Sequence, residues 1–346
     1  MFDIIRYTPG HKAEWNAFVA RSKNGTFLFD RDYMDYHSDR FKDHSLMFYL
    51  DGRLYALMPA NRKDDVFQSH AGLTYGGLVM DAHCTAAAVV TLFAELNDYL
   101  RREGFRRVYY KCIPWMYHQL AAEEDLYAIC RTCDARLQER DLGTVIIQRS
   151  AIRWERVRRR ALKRAQEAGI TVERSSAVPT APIVPAAPIV PTAPIVPAAS
   201  CPVCGGIAAA DLAAFWQVLC DNLRTTYDSR PVHTLDEITL LASRFPDNIV
   251  LYTARKDGDI LAGILLYVSA QVARAQYSSA TPLGKKLGAI DIIYDRIIHD
   301  DYAHLPYFEF GTSAMADSNA INETLVFQKE GFGGRAICFD RYEWEL

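Results

Sequence analysis

The chain has 346 residues, half of them hydrophobic and 23% charged, with a formal net charge of -3. That length admits two domains of ordinary size. The near-neutral charge gives no global argument for a nucleic acid or an acidic membrane as partner. The opening MFDIIRYTPGHKAEW lacks a charged region followed by an apolar core, so no signal peptide is read. No apolar run reaches the ~18–20 residues that span a bilayer. The expectation is a soluble, cytoplasmic protein with no transmembrane segment.

The first clear signal along the chain is SLMFYLDGRLYALMPA, two strand-like runs joined by Asp51-Gly52. That dipeptide suits a tight hairpin, whose turn residues both take positive φ. A strand-like AGLTYGGLVM, a helical TAAAVVTLFAELNDYLRREG and a strand RRVYYKCI follow. Further on, Leu126, Ile129, Cys130, Cys133 and Leu137 fall at helical spacing and predict one buried face. The other C-x-x-C pair is Cys201 and Cys204. In a chain without an export signal the eight cysteines read as free thiols, and no metal site is expected.

The stretch SAIRWERVRRRALKRAQEAGITV predicts a helix with one narrow apolar stripe: Trp154, Val157, Ala161, Leu162 and Ala165. Arg153, Arg156, Arg160 and Lys163 line a neighbouring face, and Gly169 is placed to end the helix. This basic helix, 153–164, reads as a solvated connector or as a contact for phosphates of a cofactor or an RNA. The hexapeptide VP(T/A)API then repeats three times. Proline at that density removes amide donors and fixes φ, so residues 176–206 read as a polyproline-II-like or disordered insertion.

The second half echoes the first. NIVLYTARKDGDILAGILLYVS is a hairpin turning at Asp257-Gly258, followed by a strand (ARAQYSSA), a helix (GAIDIIYDRIIHDDYAHL) and a strand (YFEFGTS). Two such blocks in series predict duplicated domains of α/β (α+β) class. The boundaries read from sequence are 1–150 and 151–346, the second carrying the proline-rich insertion.

No G-x-S-x-G elbow, Walker loop or H-E-x-x-H occurs. GFGGR (331–335) follows a helix, so it is not a dinucleotide fingerprint. His299 and His304 are five apart and do not share a helical face. What remains is a site that works by positioning. In TPLGKKLGAID, Gly284 and Gly288 let the backbone approach a ligand, and Lys285 and Lys286 add positive charge. The helix start supplies outward amides. That is a cradle for a pyrophosphate, or else an ordinary exposed loop.

The residues RFPDNIVLYTARKDGDILAGILLYV, AQYSSATPLGKKLGAIDIIYDRII and FEFGTSAMADSNAINETLVFQKEGFGGRAICFDRYEWEL carry a resemblance. So, more loosely, does VYYKCIPWMYHQLAAEEDLYAI in the first half. The chain resembles the GNAT (Gcn5-related N-acetyltransferase) superfamily, in the tandem-domain branch that includes Fem-type aminoacyltransferases. The resemblance implies two tandem GNAT-like domains, each a mixed, mostly antiparallel sheet flanked by helices. It also implies acyl transfer from acetyl-CoA or another acyl-CoA to an amine, the acceptor lying in a groove between the domains. The acceptor classes are a small molecule, a peptide or a glycan precursor.

The family's phosphate loop, Q/R-x-x-G-x-G/A, aligns with Lys285-Lys286-Leu287-Gly288-Ala289-Ile290. Lysine replaces the first residue and Ile290 the last small one, which keeps an aminoacyl-tRNA donor, held by helix 153–164, as the alternative. A third reading is a GNAT-like module that binds without catalysing. Tyr277 and Ser278 lie where a GNAT fold splays two strands to admit the acyl group. Glu309 is the candidate proton acceptor. Ser313 and Asn322 are candidate donors to the acceptor or oxyanion, and Lys329 a further catalytic candidate. Gly333 lets the glycine turn pass close to a substrate. In the first domain Tyr75, Gly76, Gly77 and Lys111 are the expected acceptor-binding residues.

Overall fold

A computed structural model of the chain describes residues 1–175, 206–313 and 320–346. The proline-rich insertion, apart from Gly206, lies outside the described residues, with Cys201 and Cys204. The backbone divides into two compact units, Met1–Asp141 with Cys338–Leu346, and Leu142–Ile337. The division falls nine residues before the boundary read from sequence, and the end of the last strand groups with the first unit.

The first unit runs β1 (Asp3–Arg6), α1 (Lys12–Arg21), α2 (Arg31–Met34), β2 (Lys42–Asp43), β3 (Leu46–Leu50) and β4 (Arg53–Met58). It continues with β5 (Asn61–Lys63), β6 (Val66–Gln68), β7 (Val79–Met80), α3 (Ala86–Arg102), β8 (Arg107–Lys111) and α4 (Glu124–Thr132). Then β9 (Arg136–Ile147) starts in this unit and ends in the other. One sheet has the order β1-β3-β4-β7. In the other, β2, β5, β6 and β8 pair in turn, and β8 also pairs with the C-terminal part of the last strand, β15 (Arg335–Glu345).

The Asp51-Gly52 hairpin forms as its sequence predicts, with φ of 51° and 75°. Thr85 caps α3 by accepting from the Ala88 amide. Val89, Leu92, Phe93, Leu96 and Leu100 on that helix are fully buried, the i, i+3, i+4, i+7 stripe of a core-facing helix. Two expectations are corrected. Of AGLTYGGLVM only Val79–Met80 is strand. The helical pattern read through Leu137 stops at Thr132, because Asp134 turns to φ 49° and β9 begins at Arg136. Ile129 and Cys133 are buried, whereas Cys130 and Leu137 are exposed.

The second unit runs from the end of β9 through α5 (Arg156–Glu167), β10 (Thr171–Arg174), α6 (Ala209–Tyr227), α7 (Leu235–Arg244), β11 (Ile249–Lys256) and β12 (Asp259–Val268). It continues with β13 (Val272–Ala280), α8 (Pro282–Leu287), α9 (Ala289–Asp295), β14 (Tyr307–Thr312), α10 (Glu323–Gly331) and the start of β15. Its strands are ordered β10-β11-β12-β13-β14-β9. The Asp257-Gly258 turn has φ of 53° and 90°. On α5, Trp154 just before the helix and Ala161 and Ala165 within it are buried, Val157 is exposed, and Gly169 (φ 68°) ends the run. Ala289, Ile293 and Tyr294 of α9 share a core with Ile264, Leu266, Ala273 and Phe308 of the sheet. The helix after α8 passes into a single π turn, Arg296–Asp301, before the chain reaches β14.

A buried acid marks the first unit. The Tyr110 hydroxyl accepts from the Leu78 amide (2.8 Å) and donates to Asp125 Oδ2 (2.5 Å). Burial raises the Asp125 carboxyl to about 6, so the fold favours its protonated form. Its contribution to stability is complete below the ordinary carboxyl value of 3.8 and is lost as pH rises through about 6. His44 and His118, each pushed down by burial to about 4, act in the opposite sense over the same range. The difference between proteins is therefore the readout. Asn still accepts from Tyr110, so relative to Asp125→Asn the wild type should lose up to about 3 kcal/mol between pH 4 and 7. Denaturant unfolding of both proteins across that range checks it, and parallel curves would overturn it.

Candidate active site

The site forms where two parallel strands part. β13 and β14 pair in register at Val272–Tyr307, Ala273–Phe308 and Arg274–Glu309, and at no later position. β13 continues to Ala280, still paired with β12, while β14 pairs on its other side with β9. The register of β14 against β9 shifts between Glu309 and Thr312, and Gly311 there has φ 76°. At the last paired position the two side chains meet, Arg274 Nη1 donating to Glu309 Oε1 at 2.5 Å. Glu309 is completely buried.

Parting the strands leaves backbone carbonyls without ladder partners, and buried carbonyls need donors. Lys329 supplies them. Its Nζ donates to Gly311 O (2.9 Å), Thr312 O (2.7 Å) and Ser313 Oγ (2.8 Å). Three acceptors match the three N–H bonds of an ammonium. Burial, and then the nearby Arg274 charge, push that ammonium down to about 7, against the pull of Glu309. Ser313 is buried, and its amide donates to Leu142 O (2.8 Å). Since its Oγ accepts from Lys329, its own O–H is left to donate elsewhere.

Lys329 is aimed inward by the ends of α10. Asn322 is the N-cap: its Oδ1 accepts from the Leu325 amide (3.0 Å), and its own amide donates to Ser313 O (2.8 Å). Asn322 thus ties the helix start to the strand end and braces the site. At the other end the glycine turn brings backbones together. A Cβ on Gly333 (φ 89°) would stand 2.4 Å from Ile152 O, and one on Gly334 would stand 2.5 Å from Thr144 Cγ2. So Gly333 approaches protein backbone.

The residues expected to cradle phosphate take other partners. Thr281 caps α8, its Oγ1 accepting from the Gly284 amide (3.0 Å), and Pro282 has no amide to offer. A Cβ on Gly284 would lie 2.2 Å from Leu261 O, and one on Gly288 (φ 82°) would lie 2.4 Å from Ala161 O. Both glycines let helices pack on neighbouring backbone. Lys285 bonds Asn222 Oδ1, Lys286 is exposed, and Ala289 is core. Ser278 accepts from the Tyr294 hydroxyl (3.3 Å). Tyr277 lies on β13 beyond the parting point, its hydroxyl 2.6 Å from His233 Nδ1 and its ring edge-on to Trp216.

In the first unit Tyr75, Gly76, Gly77 and Lys111 do come together, around a packed loop. A Cβ on Gly76 would lie 2.0 Å from Ser69 O, and one on Gly77 (φ 99°) would lie 2.9 Å from Lys111 O. The Tyr75 hydroxyl meets Thr26 Oγ1 (3.0 Å). Lys111 Nζ donates to His70 O, Ala71 O and Leu73 O at 3.4, 3.0 and 2.7 Å, and burial pushes it down to about 8.

Arg274, Gln276 and His233 were not singled out from sequence. Arg274 had a usable signal, the lone charge of its strand, matched by the lone Glu309 of FEF. Among the described residues no cluster of three or more His, Cys, Asp or Glu side chains could hold a metal ion. Among them, too, no helix is long and apolar enough to cross a membrane.

Residues 204–317 match the family described as Acetyltransferase (GNAT) domain. The whole fold is similar to that of FemX, at 11% identity and TM-score 0.63, over 99% of this chain and 97% of that one. It is also similar to L-PGS from Bacillus licheniformis (11%, TM-score 0.59, 98% and 92% covered). A conserved protein of unknown function from Bacteroides thetaiotaomicron is similar as well (9%, TM-score 0.58, 100% of both chains). No curated protein matches the sequence. The chain has a Fem-like GNAT fold, a mixed α/β architecture.

The glycine turn yields a test. Gly333→Ala places a Cβ against Ile152 O at a positive φ and should cost about 1–3 kcal/mol of stability. Urea unfolding checks it; an unchanged midpoint would mean that the turn relaxes freely.

Proposed function

We propose that the protein is an N-acyltransferase that moves an acyl group, acetyl in the simplest case, from acyl-CoA to an amine. The observation that carries this reading is the parting of β13 and β14 directly above a buried Lys329–Ser313 pair. The amine nitrogen attacks the thioester carbonyl, a C–N bond forms, the C–S bond breaks, and the thiol leaves with a proton. Negative charge gathers on the carbonyl oxygen in between. Ser313 is suited to stabilise it, because the Lys329 ammonium occupies its lone pair and leaves its O–H to donate. Glu309 is fully buried on Arg274, so its proposed role is to hold Arg274 and the local potential instead of taking the amine's proton.

A second reading, an aminoacyl-tRNA donor as in Fem-type transferases, is favoured by two observations. Gly284 and Gly288 are spent on protein backbone, and Arg153, Arg156, Arg160, Lys163 and Arg164 are exposed on and beside α5. Phosphates of an RNA suit such a face.

Calorimetric titration with acetyl-CoA tests the first reading, which fails if no binding is seen. Salt-sensitive binding of charged tRNA, abolished in Arg156→Glu/Arg160→Glu, would support the second. In either case Lys329→Met should lower kcat by about 100-fold while leaving donor affinity intact. The ammonium is present below pH about 7 and lost above it, so the kcat/KM ratio of wild type to Lys329→Met, in which the acceptor's own titration cancels, should shrink as pH rises through 7. A ratio that stays constant through that range would remove Lys329 as the charge that polarises Ser313.

A further inference from the structure

The three oxygens around Lys329 Nζ are not equivalent. Gly311 O (2.9 Å) and Thr312 O (2.7 Å) can only accept, whereas Ser313 Oγ (2.8 Å) can accept or donate. Two obligate acceptors match the two N–H bonds of an uncharged amine. The lone pair of that amine then has one partner left, the Ser313 O–H. The same contacts therefore hold the lysine in either protonation state, and only the Ser313 bond reverses. Toward the ammonium Ser313 accepts; toward the free amine it donates.

The pair is held rigidly. The Ser313 amide donates to Leu142 O and its carbonyl accepts from the Asn322 amide, both at 2.8 Å. Both side chains are buried, Ser313 completely. Among the described residues the charged groups facing Nζ are Arg274 on β13 and Glu309 on β14, which bond each other at 2.5 Å. Residues 142–147 of β9 carry no titratable side chain. At the far end of α10, Arg158 lies beside Gly331 and pairs with Asp291 at 3.2 Å. On α10 itself Glu323 and Glu330 are exposed. No carboxylate among the described residues pairs with Nζ, so burial favours the amine and pushes the lysine down to about 7.

We propose a second activity for this pair: with Lys329 as general base, Ser313 is a nucleophile that takes an acyl group from a thioester or an activated ester and passes it to water. In the first step the Ser313 proton moves to Nζ as Oγ attacks the carbonyl carbon. A C–O bond forms, the bond to the leaving sulfur or oxygen breaks, and the leaving group departs with the proton from Nζ. In the second step water gives a proton to Nζ and its oxygen bonds the acyl carbon. The ester bond to Ser313 then breaks, and Oγ recovers that proton. Only the ester and water are consumed. N-acyl transfer uses the ammonium and this activity the amine, so neither rests on the other.

The probe is p-nitrophenyl acetate. The full chain is incubated with it at pH 6 and at pH 8 and quenched in acid, and mass spectrometry of a digest locates the acetyl groups. The expected adduct is an acetyl ester on Ser313 that hydroxylamine releases. Lys329→Arg keeps the positive charge and removes the base, so at pH 8 it should lower acylation of Ser313 by about 100-fold. Between the two pH values the free amine of Lys329 grows about 10-fold. The ratio of Ser313 acylation in wild type to that in Lys329→Arg, in which hydroxide's own contribution cancels, should grow by the same factor. Circular dichroism checks that the variant folds, and the wild-type adduct map needs no variant. Absence of an ester on Ser313 overturns the proposal, including the case in which the acetyl sits on Lys329 as a hydroxylamine-stable amide. So does a Ser313 ester that forms equally in Lys329→Arg. Failure of acetyl-CoA to bind removes the coenzyme donor and leaves this activity standing, because the probe carries no coenzyme.

Discussion

The Arg274–Glu309 pair is the constraint on which the geometry of the candidate site depends. A carboxylate with no solvent exposure is costly to bury, and only a close, well-placed cation offsets that cost. Arg274 and Glu309 meet because they are opposite each other in a parallel register, so the pair fixes that register where β13 and β14 last touch. Beyond it Gly311, at a φ that favours glycine, sits in the shift of register between β14 and β9. The carbonyls of Gly311 and Thr312 then face inward without a strand to receive them. Lys329 is the answer to that deficit, and its position follows from the parting of the strands as much as from α10.

The hairpins at Asp51-Gly52 and Asp257-Gly258 were legible because both turn residues must take positive φ, a demand that few dipeptides meet. The periodic helices α3 and α5 were legible for a similar reason: an apolar stripe at helical spacing has few competing explanations. The extent of α4 was not. Leu137 continues the 3.6-residue spacing of Leu126, Ile129 and Cys133, and nothing local says that Asp134 will break it. The same limit applies to β7, where Gly76 and Gly77, just ahead of the strand, pack on Ser69 and on Lys111, the latter remote in sequence.

Glycine shows why the site itself was half legible. Gly284, Gly288 and Gly333 were read as places where the backbone comes close to a ligand or substrate, and each of them meets a backbone oxygen. The oxygen belongs to the protein. A missing Cβ records that something approaches; its sequence context does not record whether that is a ligand or another strand. Lys329, Ser313 and Asn322 could be named from the NETLVFQKEGFGG stretch and the FEFGTS strand, and the structure gathers all three. Arg274 escaped because its role depends on which strand lies opposite, and that is not written locally.

Lys111 and Lys329 are the same physical solution used in both units. Each is an ammonium ringed by three oxygens near the end of a strand, Lys329 buried and Lys111 half-buried, with its pKa pushed down by desolvation. The difference lies in the third acceptor. All three oxygens around Lys111 are backbone carbonyls, which have no proton to pass on, so that lysine can only brace the loop 70–73. Around Lys329 one acceptor is the Ser313 hydroxyl, which accepts from the ammonium and still carries a hydrogen to give. A charge that ends in a carbonyl is spent on structure, whereas one relayed through a hydroxyl can act on a third group. That difference of acceptor type is what supports placing the proposed chemistry at Lys329.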